Sequence, residues 1–114
     1  MLWGVLSRPV DKNWKRIGSE KELFKNGTSS IPIEIEDKNL ALFKVGDTVF
    51  AYQNMCPHKG APLHEGEIKD GLVICPWHGW QLELDTGQMR NNRKICLRSY
   101  PAEIRDGEIF LEIG

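Results

Sequence analysis

Two short clusters of cysteine and histidine are the side chains of this sequence best suited to chemistry. They read Cys56-Pro-His58 and Cys75-Pro-Trp-His78, with sixteen residues between His58 and Cys75. Each cluster supplies one thiolate and one imidazole. Thiolates are soft ligands suited to iron–sulfur chemistry, and two imidazoles on one iron raise the reduction potential of such a site. The four side chains therefore predict one [2Fe-2S] cluster.

A zinc site is the alternative for the same four side chains, because two cysteines and two histidines also satisfy tetrahedral Zn²⁺. Small zinc modules usually place two cysteines in one motif and two histidines in a later one, whereas each cluster here mixes the two residue types. The spacing therefore favours iron–sulfur. Gly60 and Gly79, which follow the two histidines, allow the backbone to pass close to inorganic sulfide.

Two further residues of these types are not needed as ligands. His64 lies between the clusters, and we expect it to be an exposed loop residue because the four ligand positions are already filled. Cys96 stands between Ile95 and Leu97 in a strand-like stretch, which predicts a buried packing thiol.

Other features suit contact with a partner. Trp77 neighbours His78, and an exposed aromatic residue there would suit an interface, with packing as the alternative. A local basic run is usually a solvated face, but it could also be a docking patch for an acidic partner. That run consists of Arg90, Arg93, Lys94 and Arg98.

The bulk composition indicates one domain over residues 1–114. A net charge of −1, from 15 Lys and Arg against 16 Asp and Glu, gives no reason to expect nucleic acid or an anionic membrane as a partner. Three cysteines are too few for a secreted disulfide framework, so we expect a reducing, cytoplasmic location. Residues 1–6 are apolar but too short to span a membrane, and they predict a strand or a hydrophobic tail.

Short alternating runs separated by turn residues predict an all-β sandwich or barrel. One helix of one or two turns is expected over residues 19–24, with Ser19 as its N-cap. Both Cys/His clusters should then lie on loops between strands. The predicted strands are residues 31–36, 40–44 and 48–52 as a meander, then 67–69 with 72–74 and 101–105 with 108–113 as hairpins turning at Asp70-Gly71 and Asp106-Gly107.

The segments Cys56-Pro-His-Lys-Gly60, Leu63, Gly66 and Cys75-Pro-Trp-His-Gly79 closely resemble the two cluster-binding loops of Rieske proteins. The resemblance covers most of the chain. It implies a Rieske-like antiparallel β sandwich with the cluster held by two loops at one tip. Carried over residue by residue, it implies that Cys56 and Cys75 hold the inner iron, and that His58 and His78 hold the outer iron near the surface.

Departures from the high-potential members of that family indicate a subtype. Those members carry a disulfide between the two loops, and the matching positions here are Ala61 and Trp77. They also carry a serine after the second His-Gly pair, where this chain has Trp80. The sequence is thus similar to the soluble, low-potential Rieske ferredoxins.

That resemblance implies a monomeric one-electron carrier. It would pass electrons from a flavin-dependent reductase to a terminal oxygenase of the ring-hydroxylating dioxygenase type. The alternative is a small or regulatory subunit of a nitrite reductase-like complex. An oxygenase chain would need two more histidines and a carboxylate for a mononuclear iron, and His64 alone remains. We therefore expect an electron-transfer component and not an enzyme.

Overall fold

A computed structural model describes residues 14–56, 60–77 and 79–113 of the chain. Within those ranges the backbone forms twelve strands and one short helix, α1 (Glu20–Leu23), with 3₁₀ turns at Lys25–Gly27 and Leu63–Glu65. The predicted strand or tail at residues 1–6 lies outside the described residues. The strands are β1 (Trp14–Ser19), β2 (Ser30–Ile35), β3 (Lys38–Val45), β4 (Thr48–Gln53), β5 (Glu67–Lys69), β6 (Leu72–Ile74), β7 (Gln81–Glu83), β8 (Gln88–Met89), β9 (Asn92–Cys96), β10 (Ser99–Tyr100), β11 (Ala102–Arg105) and β12 (Glu108–Glu112).

The strands form three antiparallel sheets, which confirms the all-β prediction. A four-stranded sheet has the order β10-β4-β3-β2, a five-stranded sheet runs β5-β6-β7-β8-β9, and a three-stranded sheet has the order β1-β12-β11. The predicted meander is the β2-β3-β4 run, and both predicted Asp-Gly hairpins are present as β5-β6 and β11-β12. At each Asp-Gly turn both residues have positive φ, as the tight hairpin turn requires.

Strand β3 is buried on both faces, and this is why its residues 40–43 form an unbroken apolar run. Ala41 and Phe43 belong to one core, and Leu40 and Leu42 belong to a second. Successive side chains of a strand point to opposite faces, so the four-stranded sheet separates the two cores. The first, which we call the loop-side core, consists of Ala41, Phe43, Tyr52, Cys56, Ala61, Leu63, Val73, Cys75, Leu82, Leu84, Met89 and Leu97.

The short helix begins where the sequence predicts. The Glu22 N–H donates to Ser19 Oγ at 3.2 Å, so Ser19 is the N-cap. The Glu20 N–H donates to the Gly107 carbonyl at 2.8 Å, which ties the helix to the β11-β12 turn. In the part of the chain that is described, no helix has the length and apolar character needed to cross a membrane.

Gly66 lets the segment after the first loop pass close to the backbone of β6. It follows the 3₁₀ turn Leu63–Glu65, and a Cβ at this position would lie 2.4 Å from the Ile74 carbonyl oxygen. Ile74 directly precedes Cys75, and its backbone is held in β6. A side chain at residue 66 would therefore displace the strand that leads into the second cysteine.

We expect Gly66→Ala to lower the free energy of unfolding by about 2 to 3 kcal/mol, because a backbone clash cannot be relieved by a change of rotamer. Gly46→Ala is the control. Gly46 has φ +61° with open space around it, so only the strain of a left-handed residue, about 1 kcal/mol, should appear. Urea unfolding of both variants measures the difference, and an equal loss in the two would show that the approach of Gly66 to β6 is unimportant.

Candidate metal centre

Each of the two buried cysteines begins a loop that the same backbone hydrogen bond closes. The Cys56 N–H donates to the Ala61 carbonyl at 2.8 Å, and the Cys75 N–H donates to the Trp80 carbonyl at 2.7 Å. Both bonds link a cysteine to the residue five positions later. The chain thus forms two loops of equal span, which confirms that the cysteines of both clusters lie on loops between strands.

A glycine stands at the fourth position after each cysteine. Gly60 has φ +76° and Gly79 has φ +71°, a region that other residues enter only with strain. The Gly60 N–H also donates to the Cys56 carbonyl at 2.7 Å. These glycines let each loop reverse direction within the short span that its closing hydrogen bond allows.

The thiols of Cys56 and Cys75 are neighbours at the edge of the loop-side core. Only 1% of Cys56 and 2% of Cys75 is exposed, and both are free cysteines. The pKa of the Cys75 thiol is raised to about 11, mainly because the thiol is buried; the backbone N–H of Trp77, which donates to the sulfur, lowers the pKa in part, and the adjacent Cys56 contributes to the rise. Two thiolates placed together in an apolar region require a bound cation.

This pair of soft donors fits the inner half of a [2Fe-2S] cluster. The other two predicted ligands, His58 and His78, lie outside the described residues. The structure therefore brings Cys56 and Cys75 together, and the complete set of four ligands stays a prediction.

Asn54 fixes the base of the first loop. It is 6% exposed and lies two residues before Cys56. Its Oδ1 accepts the His64 backbone N–H at 3.0 Å, and its Nδ2 lies 2.9 Å from His64 Nδ1. Because the backbone N–H can only donate, the amide is oriented with its NH₂ group toward the ring, and Nδ1 of His64 accepts.

The prediction that His64 is an exposed loop residue is wrong. Its side chain is 24% exposed, and its carbonyl accepts the Ser30 hydroxyl at 2.7 Å in addition to the two contacts with Asn54. His64 thereby joins β2 to the start of the first loop. The sequence gives no signal of this pairing, since the two residues are ten positions apart and meet only across the folded loop.

The prediction of a buried Cys96 is also wrong. Cys96 is exposed, whereas Ile95 packs against the loop-side core and Leu97 is buried within it. Side chains alternate along an extended strand, so two inward neighbours place the thiol between them outward. Trp77 is 50% exposed, in agreement with the interpretation of this residue as a surface aromatic.

The basic run divides into two parts with different partners. Arg93 and Arg90 both form ion pairs with Glu83, at 3.0 and 3.4 Å. The pKa of Glu83 is lowered by hydrogen bonds from Arg93 and Thr86. Arg98 instead lies over the ring of Tyr100, with 5.2 Å between the guanidinium carbon and the ring centroid. Arg90 and Arg93 thus share one carboxylate within the chain, whereas Arg98 has an aromatic contact instead.

Comparison with known proteins gives a consistent assignment. The family model of the Rieske [2Fe-2S] domain matches residues 13–101. The ferredoxin component of the alkene monooxygenase system of Xanthobacter autotrophicus is 32% identical over 79 residues, which cover 68% of this chain and 65% of that protein.

Two solved structures share the fold. The ferredoxin of carbazole 1,9a-dioxygenase from Nocardioides aromaticivorans IC177 has a TM-score of 0.78 at 20% identity, covering 90% of this chain and 99% of that one. A putative NADH-dependent nitrite reductase small subunit from Mycobacterium tuberculosis has a TM-score of 0.75 at 24% identity, covering 86% and 92%. The chain also spans only 20% to 22% of the length of several longer curated relatives.

We expect Asn54→Ala to lower the free energy of unfolding by about 2 kcal/mol, because it leaves the His64 N–H and ring nitrogen without their partner. Asn39→Ala is the matched control. The Asn39 side chain is exposed and accepts from Asn54 only at 3.3 Å, so its removal should change the free energy by less than about 1 kcal/mol. Denaturant unfolding measures both values, and a neutral Asn54→Ala would contradict the role given to Asn54.

Proposed function

This chain belongs to the Rieske [2Fe-2S] domain family, and from that premise we propose that it is a one-electron carrier whose cluster is held by Cys56, His58, Cys75 and His78. The single observation that carries the proposal is the pair of adjacent, buried, free thiols on two loops of equal span. The family's cofactor is a [2Fe-2S] cluster, which accepts and returns one electron.

The two kinds of ligand have different tasks in this proposal. Cys56 and Cys75, which are almost fully buried, would hold the inner iron against the loop-side core. His58 and His78 would hold the outer iron, and the electron would enter and leave on their side. Backbone N–H groups of the loops, such as that of Trp77 toward Cys75, would stabilise the negative charge on sulfur.

The proposed partners are a flavin-dependent reductase as donor and a terminal oxygenase as acceptor. The alkene monooxygenase and carbazole dioxygenase ferredoxins, which resemble this chain, are by name components of oxygenase systems. Two large apolar side chains next to the cysteines, Met55 at 45% and Trp77 at 50% exposure, offer a surface for such a partner. In this proposal the chain has no substrate site of its own and acts in the cytoplasm.

A subunit of a nitrite reductase-like complex is the second candidate, supported by the shared fold of the Mycobacterium tuberculosis small subunit. The genes that neighbour this one distinguish the two candidates. A dioxygenase and a flavin reductase encoded alongside would support the first, and a sirohaem nitrite reductase would support the second.

Purified protein should contain about two iron atoms and two acid-labile sulfides per chain. Cys56→Ala and Cys75→Ala should each abolish iron binding, because thiolate ligands are required to assemble the cluster. Cys96→Ala is the matched control, since its thiol is exposed and away from the loops, and it should keep the full iron content. Stoichiometric zinc without sulfide, or loss of iron in Cys96→Ala, would refute the proposed site.

The midpoint potential should lie near the negative end of the Rieske range of about −150 to +300 mV, because Ala61, Trp77 and Trp80 provide neither the disulfide nor the hydroxyl of the high-potential type. Trp80→Ser, which offers a hydroxyl toward the cluster, should raise it. Trp77→Ser is the control: it makes the same substitution at a half-exposed side chain and should raise the midpoint potential less. Protein-film voltammetry measures all three, and a wild-type midpoint above about +200 mV at pH 7 would contradict the low-potential assignment.

A further inference from the structure

A cavity of about 650 Å³ opens beside the first cysteine loop. We call it the loop cavity. Met55, Gly60 and Pro62 of the first loop region line one part of it. Residues of β3, β4 and β10, together with Asn54 and Arg98 beside these strands, line the rest. Two cations, Lys38 and Arg98, line it together with the side-chain amides of Asn39 and Gln53.

The positive charge of this cavity is not neutralised within the described chain. Neither Lys38 nor Arg98 has a carboxylate within ion-pair distance among the described residues, whereas Lys15, Arg16, Lys44, Arg90 and Arg93 all do. The described residues that line the cavity include no aspartate or glutamate. The cavity thus concentrates positive charge in a chain whose net charge is −1.

Arg98 is held in position before any ligand arrives. Its carbonyl accepts the Gln53 N–H at 2.9 Å, and its guanidinium lies over the Tyr100 ring. The N–H donors of a guanidinium lie in the plane of the group and can form a bidentate contact with a carboxylate, while the contact with the Tyr100 ring restrains the side chain. Because the Arg98 side chain is already restrained, it loses less conformational entropy when a carboxylate binds.

Apart from Asn54, whose side chain is engaged with His64, and Gly60, the remaining lining is apolar or aromatic. Leu40 is 1% exposed at the base, Met55 is 45% exposed at the rim, and Pro62 and Tyr100 complete the wall. Two cations facing apolar surface suit a monoanion with a hydrocarbon part better than a small multivalent anion, which would leave the apolar wall uncovered.

We propose that the loop cavity is a binding site for a carboxylate attached to an apolar group. The carboxylate would contact Arg98 and Lys38, and the apolar part would cover Leu40 and Met55. Such a ligand could be a free organic acid or a glutamate or aspartate side chain flanked by apolar residues on a partner protein. Binding at this site is a property separate from the proposed electron transfer, because it does not depend on the oxidation state of the cluster or on the electron donor.

Isothermal titration calorimetry on the oxidised holoprotein tests the site with three probes: benzoate, its neutral analogue benzamide, and a terminally blocked Leu-Glu-Leu tripeptide. We expect at least one of the two carboxylates to bind saturably and benzamide to bind at least tenfold more weakly. Tighter binding of the tripeptide would assign the site to a protein partner, and tighter binding of benzoate would assign it to a free acid.

The double variant Lys38→Gln/Arg98→Gln should weaken carboxylate binding at least tenfold. The control Lys69→Gln/Lys94→Gln removes the same charge from two exposed lysines outside the cavity and should leave the affinity unchanged. Lys38→Gln alone keeps the Arg98–Tyr100 stacking and should still weaken binding severalfold. No saturable binding of either carboxylate, equal binding of benzamide, or an equal loss in both double variants would overturn the proposal. Because calorimetry measures binding directly, these results are independent of whether the chain carries electrons.

Discussion

The structure depends on the placement of two buried thiols side by side. Charged thiolates are poorly solvated in an apolar environment, and they repel each other, so the pair of Cys56 and Cys75 is stable as thiolates only with bound metal. The fold holds the two side chains together through two loops, each closed by one hydrogen bond and reversed at one glycine. That arrangement suits the inner half of an iron–sulfur centre.

The surrounding fold keeps the two loops in a fixed relation to each other. The first loop extends from the four-stranded sheet, and the second extends from the five-stranded sheet. The Tyr52 hydroxyl donates to the Leu84 carbonyl at 2.7 Å and thus joins β4 to the end of β7 inside the loop-side core. Gly66 packs against the backbone of Ile74 in β6, and the hydrogen bonds between Asn54 and His64 join the two ends of the first loop region. A shift of either sheet would separate the thiols.

Local signals in the sequence predicted much of this arrangement. The Asp-Gly turns, the Ser19 cap and the Cys/His spacing each depend on residues that are close in sequence, and the described structure contains the turns, the cap and the paired cysteines. The contacts of Asn54 with His64, and the division of the basic run between Glu83 and Tyr100, depend on strand pairing over longer separations, which the sequence alone does not reveal. The exposure of Cys96 is different, because the alternation with Ile95 and Leu97 already implied it.

The central claim is that Cys56 and Cys75 share one iron of a two-iron cluster while two histidines hold the other. A crystal structure of the aerobically purified protein, with anomalous data collected on both sides of the iron absorption edge, tests this claim most directly. We predict two iron peaks, one bonded to Sγ of Cys56 and Cys75 and the other to the rings of His58 and His78. A single metal bonded to all four side chains, with its anomalous signal at the zinc edge, would contradict the account.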